Sequence, residues 1–469
     1  MLGVLACTNA FKSSAFSGYQ QLRFAQKYIK NKTNNVDSPR RKGRFTKDEH
    51  GRYIRRKKPK SLGTYVALPV QDLTHPVFQS EERQVRKTLD LPTFSPDILT
   101  KDMVGKAAAF SITDKDPVRR FGLSKKMLLE ARIHVGRRIL ANFSPQFRLL
   151  STPCSVIRDV TLQTAEIIDA ARDKSSLDTR AVFTGSAGCG KSFLLFQAVE
   201  HCMANGWIVI YIPRGVNLVN STTSYEYNLR TRTYVQPAYS FQTLQRMQTV
   251  NQEALRKLTL SKRFVFEKRE VSAGTNLFDF IDVALKDASS APVILDALMA
   301  ELSLQTKYPV LLAVDDFQAL FCRTTYRDQF FTPIRPYHLS VPRLILEFAS
   351  GRRAFGKGAF LGAVSASSTT YPTPIDLQEA LSIPPIGAPS SPYDKNRSRV
   401  LREYTKGLQT IPVPDQLSVP EAAALFEVWM KDLALGPSTY DEMFLAKYTE
   451  SSGNAREFVW KGLLASLQS

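Results

Sequence analysis

No stretch of this chain approaches the roughly 18 consecutive apolar residues that a membrane-spanning helix requires, and the apolar start at residues 1–7 is too short for a secretory core. The protein is expected to be soluble, with no membrane partner. Cysteine is scarce: Cys7, Cys154, Cys189, Cys202 and Cys322 show no C-x-x-C spacing and no paired histidines beside them. That argues against the common zinc frameworks, and the odd count and long separations suit a reducing compartment better than a disulfide scaffold. Acid is in deficit as well, with 43 Asp and Glu against 63 Lys and Arg, a formal net charge of +20. So basic a chain is expected to meet a polyanion. A guanine-reading [NT]-K-x-D segment is also missing: Asn31-Lys32 and Thr46-Lys47 both lack Asp at the required offset. This argues against a Ras-like GTPase without excluding guanine itself.

What is present begins with GSAGCGKS at residues 185–192, between an apolar run and a helical one. The pattern G-x-x-x-x-G-K-[ST] suits phosphate, because its glycines let successive backbone N–H groups curl around an anion. In that reading Gly185, Ser186, Ala187, Gly188, Cys189 and Gly190 form the cradle. Lys191 neutralises phosphate charge and the Ser192 hydroxyl reaches Mg²⁺. Ala181, Val182, Phe183 and Thr184 read as a buried strand before the loop, and residues 191–204 as a helix ending at Asn205-Gly206. The phosphate would sit at a helix N-terminus, where free N–H groups favour an anion. Cys189 is read as a small residue filling the loop.

A second apolar run, Pro309-Val310-Leu311-Leu312-Ala313-Val314, ends in Asp315-Asp316. Continuous apolar character predicts a parallel strand buried on both faces. Asp315 at its end is positioned to orient a Mg²⁺ water beside Ser192. Asp316 is the candidate for polarising an attacking water. In the additional-strand P-loop ATPases that position is commonly Glu, and the shorter Asp is expected to make hydrolysis slow or absent. Further strands are predicted at residues 207–212 and 360–365, alternating with helical stretches, which is the doubly wound α/β pattern. Ser365 or Ser367, closing the last of these, is a candidate γ-phosphate sensor or a structural strand end.

The charge is concentrated. Residues 40–60 carry eleven Lys or Arg against Asp48 and Glu49. Of these, Arg40, Arg41, Lys42, Arg44, Arg52, Arg55, Arg56, Lys57 and Lys58 are assigned to RNA, with Phe45, Tyr53 and Ile54 interleaved for stacking. A solvated tail or a localisation signal is the competing reading. The first 36 residues hold no Asp or Glu but several Lys, Arg, Ser and Ala, as in a mitochondrial presequence.

Composition divides the chain into a presequence-like 1–36, a basic RNA-binding arm at 37–60, a packing module at 61–150 that includes the amphipathic stretch 123–143, and a nucleotide core at 151–368. A polar insertion at 217–234 interrupts the core, and a helical pattern covers 239–257. Residues 369–414, dense in Pro, Ser and Gly, are expected to form an extended loop. Residues 415–469 read as a helical lid, from which Arg456 would reach a phosphate.

The ordered set GSAGCGKS at 185–192, LLAVDDFQAL at 311–320, VSASS at 364–368 and SSGNAREF at 451–458 resembles the death-associated protein 3 family, a fungal-like member of it. Gln236-Pro237, Lys268-Arg269-Glu270 and Arg323-Thr324-Thr325 support the likeness. The resemblance implies a P-loop fold of the AAA+ and signal-transducing ATPase type with a mostly parallel sheet. It also implies a place in the head of the mitochondrial small ribosomal subunit, with small-subunit rRNA, neighbouring small-subunit proteins and the large subunit as contacts. GTP, GDP or ATP with Mg²⁺ is the implied ligand. Two functions compete: a structural ribosomal protein stapled by its nucleotide, or an active NTPase serving as an assembly factor or switch. An unrelated nucleic-acid-dependent ATPase is a third.

Overall fold

The computed structural model of the protein describes residues 45–47, 53–55, 90–110, 154–266, 270–384, 397–431, 435 and 441–464. The chain divides into two units, residues 1–84 and 85–469. In the first, Phe45–Lys47 and Tyr53–Arg55 pair as antiparallel strands, with Phe45 opposite Arg55. This departs from a wholly extended arm: Phe45, Thr46, Tyr53 and Ile54 are β-favouring residues. The presequence-like segment, the amphipathic stretch and the assigned RNA-binding bases other than Arg55 lie outside the described residues.

The second unit is built on a five-stranded sheet of Arg180–Thr184 (β1), Ile208–Ile212 (β2), Val310–Val314 (β3), Gly358–Ala363 (β4) and Gln409–Pro412 (β5), in the order β5-β1-β4-β3-β2. Every pairing is parallel. The strands alternate between two cores. Ile208, Ile210, Ile212, Val310, Leu312 and Val314 pack on one face, against helices Pro237–Val250, Leu277–Lys286, Ala291–Leu304 and Ser340–Ala349. Val209, Tyr211, Leu311 and Ala313 pack on the other, against Asp159–Ala171 (α1) and Lys191–Ala204 (α2). With apolar contacts on both faces, the strands read as unbroken apolar runs rather than alternating ones.

The fifth strand corrects the extended-loop reading of residues 369–414. That region contains helices Ile375–Ala380 and Arg399–Tyr404, and Gln409–Pro412 completes the sheet beside β1. Its Pro412 is tolerated because an edge strand has one unpaired side. The helical pattern at 239–257 is two helices that break at Asn251, whose side chain bonds both the N–H and the C=O of Val209 at 2.8 Å. A third core joins strands Ala107–Ala109 and Cys154–Val156 to C-terminal helices Val419–Lys431 (α3), Asp441–Glu450 (α4) and Ala455–Phe458 (α5) around Trp429 and Phe458.

Candidate functional site

The loop between β1 and α2 needs glycine at three points. Gly185, Gly188 and Gly190 have φ of 144°, 86° and 102°, a region that side chains with a Cβ enter at a cost. Gly188 is also pressed from outside: a Cβ there would run into Asn454 and lie 3.0 Å from the Arg456 Cβ. Gly190 caps α2. Among the described residues, no protein acceptor meets the backbone N–H groups of residues 188–192, so the mouth of the helix presents donors.

Lys191 is 6% exposed, and its ammonium is folded into the loop, donating to Gly185 O at 2.8 Å and Ser186 O at 2.5 Å. Next to it, the Ser192 hydroxyl donates to Asp315 Oδ1 at 3.1 Å. The residues assigned to phosphate and to metal are therefore brought together from 123 positions apart, because β3 and β1 are separated in the sheet only by β4.

Asp315 is buried. Burial, and then the neighbouring Asp316 carboxylate, push its pKa up to about 7, against the opposing bonds from Ser192 and the Asp316 amide. A group whose pKa is raised on folding contributes stability that is fully present below its unfolded value and is lost as pH rises through the folded one. The ligand-free protein is thus expected to lose stability between pH 4 and 7 through this group, and Asp315→Asn to abolish that component. Denaturant unfolding at pH 4.5 and 7.5 reads it directly, and equal pH slopes in the two proteins would refute it.

Asp316 occupies the left-handed region, at φ 54° and ψ 38°, where the chain turns out of β3. Its Oδ2 lies 3.8 Å from Arg214 Nε. The segment leaving β2 crosses directly beneath this turn: Gly215 donates to Asp315 O at 2.7 Å, and a Cβ at Gly215 would come within 2.7 Å of Asp316 O. Gln318, fully buried after the turn, accepts from the Ser365 N–H at 2.8 Å and so ties the end of β3 to the end of β4. The Ser365 and Ser367 hydroxyls are 3.1 Å apart.

Sequence reasoning missed the residues that hold the loop from behind. Asp415, just past β5, accepts from the Ser186 N–H at 2.9 Å, a bond that keeps its carboxyl below the ordinary range. Asn454 donates to Ala187 O at 2.9 Å, and Arg456 N–H to Gly188 O at 3.0 Å. Arg456, assigned from sequence to a phosphate, thus reaches the loop through its backbone. Arg158, at the start of α1, donates to Cys189 O at 2.9 Å and to Pro414 O and Gln416 O at 3.3 and 3.1 Å, and pairs with Glu421 on α3 at 3.4 Å. Arg158 and Asp415 belong to no recognisable spacing, and although Asn454 and Arg456 fall in the SSGNAREF segment, their contact with a loop up to 267 positions away is not shown by any spacing. The S-x-x-E pattern from Ser418 to Glu421, in which the Ser418 N–H donates to the Glu421 carboxylate at 2.9 Å as in one half of a capping box, is a local signal for the start of α3.

Comparison with known proteins bears on the same region. The chain is 24% identical over 320 residues to the small ribosomal subunit protein mS29 of Schizosaccharomyces pombe, covering 66% of this chain and 64% of that protein. It is 25% identical over 328 residues to the Neurospora crassa protein of that name, covering 68% and 69%. The mouse protein matches over 167 residues at 27% identity, 34% of this chain and 43% of its own length, so the likeness extends to fungi and mammals alike. The family model for mitochondrial ribosomal death-associated protein 3 matches residues 155–460, a span that takes in Arg158, the 185–192 loop, Asp315, Asp316, Asp415 and Arg456. The chain belongs to the mitochondrial ribosomal death-associated protein 3 family.

Proposed function

We propose that the protein is a component of the head of the mitochondrial small ribosomal subunit that holds a purine nucleotide with Mg²⁺ as an internal staple and contacts rRNA. Family membership places it at the mitochondrial ribosome. The observation that carries the staple is the convergence on one loop. Residues 185–190 touch α1 through Arg158, the segment after β5 through Asp415, and the start of α5 through Asn454 and Arg456. A ligand bound there would add a further link between parts of the chain that already converge on this loop.

Several features favour a phosphate ligand. The loop follows a strand and opens a helix, its N–H groups face an open end, and one strand separates it from the acid-bearing strand, as the additional-strand P-loop ATPases require. Ser192 Oγ and Asp315 Oδ1 are hard oxygen donors suited to Mg²⁺. Bound there, the ion would neutralise phosphate charge. Lys191 would trade its two loop carbonyls for phosphate oxygens, and Asp315 would act as the ionised ligand. GTP, GDP and ATP all satisfy this chemistry, since it involves the phosphates and not the base. The basic segment at 40–60 supplies phosphate-binding charge for rRNA, and neighbouring ribosomal proteins of both subunits are the remaining partners.

Sedimentation of mitochondrial extract, followed by identification of the nucleotide released from the small-subunit fraction, tests partner and ligand together. Recovery of the chain outside that fraction, or in it without nucleotide, would overturn the reading. The second reading, an active NTPase in assembly, rests on Asp316. Its carboxylate is drawn toward Arg214 and sits on a left-handed turn, an arrangement that favours holding over turnover. Phosphate release is therefore expected to be negligible and equal in the wild type and Asp316→Ala; release abolished by the substitution would establish catalysis.

A further inference from the structure

The polar insertion at 217–234 and the loop at 326–334 meet at one surface, joined across 102 positions by Tyr225 and Arg327. Tyr225 links the two: its ring packs edge-on against Tyr326 at 4.9 Å, and its hydroxyl donates to Arg327 O at 2.5 Å. From this base the hairpin Glu226–Asn228 and Thr233–Val235 extends on one side, with Leu229 82% exposed beyond its first strand. On the other side, Phe330 and Phe331 are 75% and 82% exposed at the tip of the second loop. Adjacent aromatic side chains so fully in water are unusual in a soluble protein.

The second tip is also rigid. Asp328 accepts from Phe330 N–H at 2.8 Å, from Thr332 N–H at 2.9 Å and from the Thr332 hydroxyl, while its own N–H donates to Thr332 O at 3.0 Å. Arg327 donates to Phe331 O at 3.1 Å. These bonds hold Phe331 at φ 59°, a left-handed conformation that bulky residues seldom adopt. The loop thus fixes two phenyl rings outward in a conformation that its own side chains do not otherwise favour.

Charge decides what such a tip would meet. The two segments contain Arg230, Arg232 and Arg327 and no lysine, against Glu226 and an Asp328 already committed to its own loop. Arginine with exposed aromatic rings is the combination that stacks on unpaired bases and binds phosphates bidentately. Phe and Arg are also enriched at protein interfaces, but a protein partner for the same rings would leave RNA binding unaltered when they are removed.

We infer that Phe330 and Phe331, together with Arg230 and Arg232 on the hairpin that Tyr225 joins to the same base, form a contact for single-stranded or looped RNA, with the rings stacking on unpaired bases and the guanidinium groups on the backbone. This surface adds to the proposed ribosomal role a specific RNA contact on the folded unit, separate from the basic segment at 40–60 and from the nucleotide. The test uses the full-length purified chain and a fluorescently labelled 12-nucleotide oligoadenylate, with a blunt duplex of equal length as comparison. The double substitution F330A/F331A is expected to weaken single-strand binding at least about tenfold, with the salt dependence unchanged because stacking releases no counterions. R230A/R232A should instead lower the single-strand salt slope by about 1.4. Both phenyl rings are exposed, so an unchanged melting temperature is the folding control, and F330Y/F331Y should retain binding. Unaltered oligoadenylate affinity in F330A/F331A would overturn the inference, and so would an equal loss on the duplex, whose bases are not free to stack. Neither result depends on whether the chain sediments with the small subunit.

Discussion

Replacing Arg158 with alanine is expected to cost about 3–5 kcal/mol of stability and to loosen the loop at residues 185–192 at the same time. Arg158 and Glu421 have side chains only 7% and 8% exposed, and both were removed from water on folding. Deleting one partner leaves the other charge buried and unpaired, which is the expensive case. It also removes the donors to Cys189 O, Pro414 O and Gln416 O, so the loop and the segment behind β5 lose their common anchor. Denaturant unfolding measures the first effect. Amide exchange measures the second, with faster exchange expected at Ser186, whose N–H is held by Asp415 in that same segment. The double variant Arg158→Ala, Glu421→Ala should recover part of the loss, since no lone charge remains. A cost below about 1 kcal/mol, the level of an exposed ion pair, would mean that the cluster is not the anchor described.

Lys191→Ala is expected to weaken the proposed nucleotide binding at least about a hundredfold, or roughly 2.7 kcal/mol. The Lys191 ammonium is held inside the loop, where phosphate charge brought into this partly buried site would depend on it. The same substitution separates the staple from the switch. At a hundred times its Kd a ligand stabilises the native state by about 2.7 kcal/mol; after a hundredfold loss at the same concentration only about 0.4 remains. Against a typical margin of roughly 5–15 kcal/mol that difference lowers the folded population, and with it the abundance of the assembled subunit. Without ligand the variant loses the donor to two loop carbonyls, a separate cost of about 1.5–3 kcal/mol for each charge-assisted bond. Thermal unfolding with and without Mg²⁺ and nucleotide distinguishes these terms. A variant that binds no nucleotide yet assembles at normal abundance would rule out the staple.

The central strands were legible because burial on both faces leaves a continuous apolar signature. Expected strands at 181–184, 207–212 and 309–314 correspond to Arg180–Thr184, Ile208–Ile212 and Val310–Val314. The fourth is observed at Gly358–Ala363, two residues ahead of the predicted 360–365, because Gly358 does not read as apolar. The fifth strand was missed for a related reason. Gln409, Thr410 and Pro412 carry no apolar run, and only pairing with the already formed β1 makes Gln409–Pro412 a strand. A one-dimensional pattern reports what a segment buries by itself; an edge strand is defined by its neighbour.

The local order of glycines, Lys191, Ser192 and the acids after β3 was readable from the amino-acid sequence alone, since each element has a short-range cause: a turn that needs left-handed backbone, a helix that starts, a strand that ends. What only the tertiary structure decided is which distant groups close around them. The strand order sets Asp315 against Ser192, and Arg158, Asp415 and Asn454 reach the loop from 31, 229 and 267 positions away. The same holds for the aromatic tips, where Tyr225 meets Arg327 across 102 positions. Hydrogen bonds and ion pairs of this kind depend on proximity in space, and proximity across such separations is created by packing the two cores against the sheet rather than by any spacing along the chain.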